Sequence, residues 1–142
     1  MERLRTLFIL CPLIFSGCTN VAGDITRSIH HLPSSSLSSD TLFAAAGHFF
    51  TNLGYQCDSN HQATRFRCTK ALRDVYIHQT RAVVQIYPGD AEVTHHSLFT
   101  TRWDEGLIPG EFISSEFTNP DVAAFCDYLR EDELGLCRSG DE

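Results

Sequence analysis

The stretch that decides the fold is "VYIHQTRAVVQIY", residues 75–87, in the middle of the chain. It is rich in β-branched and aromatic residues, the residue types that are enriched in β-strands. The following "YPGD" places Pro88 and Gly89 where a type II turn needs them. The segment "EVTHHSLFT", residues 92–100, then returns as another strand. Together these three pieces predict an antiparallel β-hairpin.

Two shorter strands and a helix precede this hairpin. Residues 55–58 and 64–69 flank the loop "SNHQ" and are predicted to pair with each other. Before them, apolar residues recur at helical spacing between a cap at Ser39 or Asp40 and a stop at Gly54. These apolar residues are Leu42, Phe43, Ala46, Phe49, Phe50 and Leu53. Their stripe is wide, so this helix is expected to pack firmly against another element.

A second helix follows the strands. The letters "TNPD" provide a cap at Thr118 or Asn119, with Pro120 at the first helical position and an acidic residue in the first turn. The predicted buried side of this helix consists of Val122, Phe125, Cys126 and Leu129. This order predicts an α+β fold with both helices on one face of an antiparallel sheet of about four strands. Residues 40–142 are expected to form this single domain.

The N-terminal segment has the pattern of a secretory signal. "MERLR" supplies Arg3 and Arg5, and the apolar run "TLFILCPLIF" follows it. A membrane-spanning helix needs ~20 apolar residues, which is more than this run contains. The segment ends in Ser16-Gly17-Cys18, which resembles the lipobox of bacterial lipoproteins. Phe15 stands where that family usually has a leucine.

The resemblance implies that residues 1–17 are a signal peptide, cut away after the thiol of Cys18 has been acylated. The lipid on Cys18 would then hold the protein on a membrane. Thr19 stands where inner-membrane lipoproteins of Gram-negative bacteria often have Asp, which implies the outer membrane, with the domain in the periplasm or at the surface. The alternatives are an ordinary signal peptide cut after Val21-Ala22-Gly23, which would give a secreted or periplasmic protein, and an uncleaved intracellular chain.

Residues 18–39 are expected to form the lipid anchor and a flexible tether. The letters "HLPSSSLSS" are rich in serine, contain a proline and have little to bury, which is typical of coil. About twenty such residues reach roughly 25 Å at the usual scaling of flexible chains. A tether of this kind would let the domain stand clear of the bilayer.

Six cysteines stand at positions 11, 18, 57, 68, 126 and 137. The last four form two close-spaced pairs, which in a short exported chain are typical of disulfides. Three connectivities are open to four cysteines, and we expect the local one, Cys57–Cys68 and Cys126–Cys137. Each bridge would close a loop of about a dozen residues, worth ~3 kcal/mol in the chain-entropy model. Structural zinc is not expected, because the sequence has no C-x-x-C pair.

The acidic balance of the chain limits its partners. Eleven Lys and Arg stand against eighteen Asp and Glu, for a formal net charge of −7, and no basic stripe is present. Nucleic acid is therefore not an expected partner. A predicted loop over residues 102–117 carries the candidate binding residues Trp103, Asp104, Glu105 and Glu111. The alternative is an ordinary acidic surface loop anchored by one tryptophan.

The sequence contains no recognisable catalytic or metal-binding motif. It has no G-x-S-x-G and no H-E-x-x-H, and four of its cysteines are assigned to disulfides. Seven histidines are scattered along the chain, and one metal hypothesis is that His78 and His96 meet across the hairpin. We expect no enzyme activity, no cofactor, no resident metal and no catalytic residue.

The expected function is that of a membrane-anchored cell-envelope lipoprotein. Its domain would be a non-catalytic protein-interaction or assembly-accessory module, with a protein of the envelope as its partner. The alternative is a small inhibitor or ligand-binding lipoprotein, for example one that blocks a host hydrolase. Small lysozyme inhibitors of bacteria are lipoproteins of similar size, but they are mainly β-barrels, whereas helices are predicted here at both ends of the domain.

Overall fold

The computed structural model describes residues 18–33, 37–58, 64–89, 95–107 and 114–140. Within these ranges the chain forms two helices and a seven-stranded antiparallel sheet. In chain order the elements are β1 (Cys18–Gly23), β2 (Arg27–His30), α1 (Ser39–Asn52), β3 (Gln56–Cys57), β4 (Phe66–Val75), β5 (His78–Tyr87), β6 (His95–Gly106), α2 (Pro120–Glu131) and β7 (Leu136–Ser139). The α+β class is confirmed, and the sheet is larger than the predicted four strands.

β6 is the strand around which the sheet is organised. The strand order is β3-β4-β5-β6-β2-β7, and β1 also pairs with β6. One side of β6 pairs with β5 over residues 97–106, and the other side is shared by β2 and β1. β2 pairs with the first part of β6 and β1 pairs with its last part. The long strand therefore joins a region covered by helices to an end formed by strands β1, β4, β5 and β6.

The predicted hairpin is confirmed as the pair β5–β6, but the predicted strand over residues 75–87 is wrong at its start. Val75 is the last residue of β4 and pairs with His78, the first residue of β5. Tyr76 and Ile77 form the turn between them. Because these residue types favour strands, their pattern gave no sign of a turn.

Two strands replace the flexible tether that was expected over residues 18–39. β1 pairs with β6 from Cys18↔Gly106 to Gly23↔Thr101, and β2 pairs with both β6 and β7. Ile29 of β2 is fully buried in the core. The coil prediction is therefore wrong for residues 18–23 and 27–30, because pairing with a distant strand orders a stretch whose own composition is polar. The described part of the sheet therefore includes residues well before the predicted domain start, Asp40.

One hydrophobic core joins both helices to the sheet. α1 buries Leu42, Ala46 and Phe50, and α2 buries Val122, Phe125 and Leu129. The strand residues of the same core are Ile29, Phe66, Cys68, Ala82, Val84, Ile86 and Leu98. The rings of Phe50 and Phe125 lie 5.0 Å apart between their centres, so the two helices contact each other through aromatic side chains.

Both helices begin at capping residues close to the predicted ones. The side chain of Ser38 caps α1 by accepting from the backbone N–H of Thr41 at 3.2 Å. Asn119 caps α2 by accepting from the N–H of Asp121 at 3.1 Å. Each cap satisfies a helix N–H that has no partner inside the helix. The signal in "TNPD" therefore located α2 correctly, and the cap of α1 lies one residue before the predicted pair.

The two expected disulfides are present. Cys57 and Cys68 are directly opposite each other in β3 and β4, and their sulfurs are bonded. Cys126 of α2 is bonded to Cys137 of β7. The second bridge ties the last strand to the helix before it, so that β7 lies along β2. No helix in the described ranges has the length and apolar character needed to cross a bilayer.

Candidate functional site

Most of the predicted binding loop is a strand. Trp103, Asp104 and Glu105 lie in β6, between β5 on one side and β1 on the other. The loop prediction is therefore wrong for residues 102–106, where ladders to two neighbouring strands fix the backbone. Successive strand residues point to opposite faces of a sheet, so Asp104 faces the helices while its two neighbours do not. Glu111 lies outside the described residues.

Asp104 is the centre of a buried polar cluster. It is only 3 % exposed, and its carboxylate accepts hydrogen bonds from Thr80 Oγ1 and from Arg102 Nε, both at 2.8 Å. Nε2 of His78, another buried residue, lies 3.7 Å from the same carboxylate. A buried carboxylate is stable only when such partners replace its water. Together, Asp104, Thr80, Arg102 and His78 form what we name the Asp104 cluster.

Arg102 connects the Asp104 cluster to the segment that follows β6. Its guanidinium donates to the backbone oxygen of Ser114 and, at 3.2 Å, to that of Glu116. The same group lies over the ring of Phe117, 5.8 Å from the ring centre. Arg102 thus links the carboxylate of Asp104 to residues 114–117, which is an arrangement suited to a structural role.

Trp103 and Glu105 lie on the outer face, the side of the sheet turned away from the helices. Arg81 joins them, because its guanidinium forms an ion pair with Glu105 and lies 5.9 Å from the indole centre of Trp103. The indole N–H donates to Thr101 Oγ1 at 3.0 Å. Val83 on the same face is buried. The tryptophan is therefore part of a small packed layer on the outer face.

The structure does not bring His78 and His96 together. His78 pairs with Gly106 at one end of β6, whereas His96 lies at the other end, beside β2. Nε2 of His96 is 2.9 Å from Ser39 Oγ, and its ring centre lies 6.2 Å from that of His31. The hypothesis of a metal held by this pair is contradicted, because His96 lies near the start of β6 whereas His78 lies in β5, opposite the last residue of β6.

Four histidines, His30, His31, His95 and His96, form what we name the histidine cluster. The ring centres of His30 and His95, which are paired in the sheet, lie 5.0 Å apart. Burial and the neighbouring histidines lower the pKa of both His30 and His96, and Arg138 adds to the effect at His30. Within the part of the chain that the structure describes, no group of three or more His, Cys, Asp and Glu side chains could hold a metal ion.

A hydrogen-bond chain joins the start of α2 to the sheet. Nδ2 of Asn119 donates to Thr100 Oγ1 at 2.9 Å and to the hydroxyl of Tyr55 at 3.2 Å. The tyrosine donates in turn to Asp121 Oδ2 at 2.9 Å, and Lys70 Nζ lies 3.3 Å from the same oxygen. Burial raises the pKa of Tyr55, which keeps its proton available for this bond. Sequence patterns gave no indication of this network, because its members come from β4, β6, the start of α2 and the segment between α1 and β3.

An exposed apolar surface lies at the end of the sheet where β1 begins. We name it the apolar end and define it by Val75, Tyr76, Ile77 and Leu107. Tyr76 is fully exposed, Ile77 is 50 % exposed and Leu107 is 61 % exposed. The backbone N–H of Leu107 donates to the carbonyl of Ile77 at 3.1 Å, which joins the end of β6 to the β4–β5 turn. The backbone of Leu107 therefore lies beside the β4–β5 turn, at the same end of the sheet as the other three residues.

Cys18 belongs to this same end of the sheet. It pairs with Gly106, and Gly106 pairs on its other side with His78, the residue directly after Ile77. Neighbouring strands are ~4.8 Å apart, so Cys18 and the β4–β5 turn are separated by about 10 Å across the sheet. The sequence indicated Cys18 through its lipobox-like context, but it gave no sign of the apolar surface beside it. That surface depends on the pairing of residues far apart in the chain.

No protein-family model matches this chain, and neither a curated protein nor a solved structure is significantly similar to it.

Proposed function

We propose that this protein is a lipid-anchored bacterial envelope lipoprotein whose disulfide-bonded domain acts as a non-catalytic protein-interaction module. The observation that carries the proposal is the position of Cys18. It follows Ser16 and Gly17 at the end of an apolar run, and it is also the first residue of β1. Cleavage before Cys18 would therefore leave the described sheet whole.

The two disulfides support export to an oxidising compartment. They account for Cys57, Cys68, Cys126 and Cys137, so neither of them needs Cys18. Disulfides of this kind persist in the periplasm and outside the cell and are rare in the reducing cytosol. A lipid on Cys18 is therefore compatible with both bridges.

The arrangement of polar groups supports a binding role rather than a catalytic one. The Asp104 cluster is buried and its carboxylate is satisfied by Thr80 and Arg102. The outer face, in contrast, exposes Val21, which is paired with Trp103, and Phe99, whose ring lies beside that of Tyr87. Apolar and aromatic side chains on an open sheet face are typical of surfaces that bind other proteins. We propose this outer face as the surface for the envelope partner.

Labelling of cells with radioactive palmitate tests the anchor. We expect label on the wild-type protein and none on Cys18→Ser, because the lipid is attached through that thiol. Cys11→Ser is the matched control, since it changes another cysteine of the N-terminal segment and should keep the label. An unlabelled wild type would reject the anchor.

Affinity capture from solubilised envelopes tests the partner. Phe99 and Leu53 are equally exposed, at 37 % each, but only Phe99 lies on the outer face. We expect Phe99→Ser to reduce the yield of the captured protein and Leu53→Ser to leave it unchanged. Equal yields from both variants would reject the outer face as the binding surface.

A further inference from the structure

The β4–β5 turn has residues that turn chemistry does not explain. Two-residue hairpin turns favour Asn, Asp and Gly, which suit central residues with positive φ, but neither Tyr76 nor Ile77 has a positive φ, so backbone geometry does not select these two residues. Here the two turn positions hold Tyr76 and Ile77, and Val75 precedes them. Exposed apolar side chains at the tip of a hairpin lower the solubility of the protein and make no packing contacts that would stabilise it. Such a tip is typical of a surface that contacts a partner or a membrane when the protein functions.

The position of Cys18 indicates what covers it. Because β1 begins at Cys18 itself, no coil separates a lipid on this residue from the sheet. The domain would lie directly against the bilayer, with the end of the sheet that contains Cys18 nearest to it. Tyr76, Ile77 and Leu107 are at that end, about 10 Å from the anchor across two strand spacings.

We propose that the apolar end inserts into the headgroup region of the bilayer that holds Cys18, so that the lipid and the hairpin tip form one two-point membrane attachment. This inference rests on the proposed lipid anchor. The lipid on Cys18 would hold the protein on the membrane, and apolar side chains that enter the same bilayer would add a second contact. Tyr76 suits this place, because a tyrosine has an apolar ring and a polar hydroxyl and is enriched at membrane–water interfaces.

Charges beside the tip limit the depth of insertion. Arg73 and Asp74 precede the turn, and Gln79 Nε2 donates to the Asp74 carboxylate at 3.3 Å. Charged groups are costly in the hydrocarbon core but remain hydrated among the headgroups. We therefore place Tyr76 and Ile77 at the boundary of headgroups and acyl chains, with the two charged residues in the aqueous layer. A bound envelope protein is the other occupant to be tested, and the nearness of the tip to Cys18 favours the bilayer over it.

Depth-dependent fluorescence quenching tests the inference on the mature protein purified from membranes. Trp103 is the only tryptophan of the chain, so Trp103→Phe removes all native tryptophan fluorescence. Tyr76→Trp in that background reports on the tip, and Tyr87→Trp is the matched control at the opposite end of β5, about 30 Å away at the usual rise per residue. Each protein is reconstituted into vesicles of phosphatidylethanolamine and phosphatidylglycerol whose acyl chains carry bromine. Circular dichroism of each variant verifies the fold.

A photo-crosslinking residue at position 76 of the otherwise wild-type chain gives a second readout in intact cells, and it does not depend on the Trp103 background. We expect bromolipid to quench tryptophan at position 76 several-fold more strongly than tryptophan at position 87, and we expect the crosslinks to be to lipid. Equal quenching at both positions in a protein that carries palmitate would overturn the inference and leave the anchor intact. Crosslinks mainly to a protein would overturn it in favour of a partner at the tip.

The experiments distinguish two outcomes: that Cys18 carries no lipid, and that the β4–β5 turn does not enter the bilayer. If the wild type carries no palmitate, the protein is recovered from the compartment where it is found and mixed with the same brominated vesicles. The missing palmitate alone rejects the anchor, and quenching at position 76 would then still support membrane contact by the tip. The absence of quenching would overturn both. With lipid on Cys18, the double change Tyr76→Asp and Ile77→Asp should increase extraction of the protein from vesicles about tenfold.

Discussion

Gly106 lies so close to Ile77 that a Cβ atom on the glycine would be 2.3 Å from the carbonyl oxygen of Ile77. It would also be 2.7 Å from the Cα of His78, and Gly106 has a φ of 152°. Only a residue without a side chain permits this approach. The contact positions the β4–β5 turn beside the end of β6 and thereby beside Cys18.

Replacement of Gly106 by alanine should therefore destabilise the domain. The added methyl group meets backbone atoms, which cannot move aside without breaking the β5–β6 ladder, so we expect a loss of about 1–3 kcal/mol in the free energy of unfolding. Gly23→Ala is the control, because nothing lies within 4 Å of a Cβ built there. Urea denaturation measures both variants, and equal stability of the two would contradict the assigned contact.

Neighbouring acidic residues on β6 should differ sharply in their contribution to stability. Asp104→Asn leaves the largely buried Arg102 without its counter-charge, and we expect a loss of about 2–4 kcal/mol in the free energy of unfolding. Glu105→Gln removes an exposed pair with Arg81, and such pairs contribute ~0–1 kcal/mol. The two substitutions make the same chemical change one residue apart. Thermal and urea unfolding would contradict the Asp104 cluster if both variants lost the same small amount.

The elements that the sequence located correctly are those with local signals. α1 and α2 have apolar side chains at helical spacing and capping residues at their start, and both properties are visible within one segment. The disulfides follow from the close spacing of Cys57 with Cys68 and of Cys126 with Cys137. In each case neighbouring residues in the chain are also neighbours in space.

The elements that could not be predicted from the sequence depend on pairing with residues far away in the chain. β1 consists of Cys18, Thr19, Asn20, Val21, Ala22 and Gly23, a composition that favours no strand, and it is ordered by a ladder to residues 101–106. The sequence predicts that Asp104 lies in a loop, yet in the structure it is buried in β6 and bonded to Thr80 and Arg102. Side-chain types indicated that this region has charged and aromatic groups, but only the register of β5 and β6 decides which of them face the core.

The bond between Cys126 and Cys137 should hold the last strand in place. Replacing both residues by serine should reduce the free energy of unfolding by about 2–5 kcal/mol. We expect amides of β7 to lose protection against hydrogen exchange first, because among the described strands β7 pairs with β2 alone. The paired change Cys57→Ser and Cys68→Ser is the control, since that bridge joins β3 to β4 and should leave β7 protected. Unchanged hydrogen exchange in β7 after loss of the Cys126–Cys137 bridge would show that pairing with β2 is enough to hold β7 in place.

The histidine cluster should make the domain less stable in mild acid. The pKa of His30 and of His96 is lowered in the folded state, mainly by burial and then by neighbouring charges. The unfolded chain therefore takes up protons first, and stability that is complete above pH 6.5 is lost as the pH falls through the lower folded pKa values. Melting curves between roughly pH 7.5 and pH 5 measure this loss, in a range where most carboxylates are still ionised. His96→Gln, which keeps a polar group near Ser39 but cannot take up a proton, should reduce the pH dependence. A melting temperature that is equally pH-dependent in this variant would assign the loss to groups other than His96.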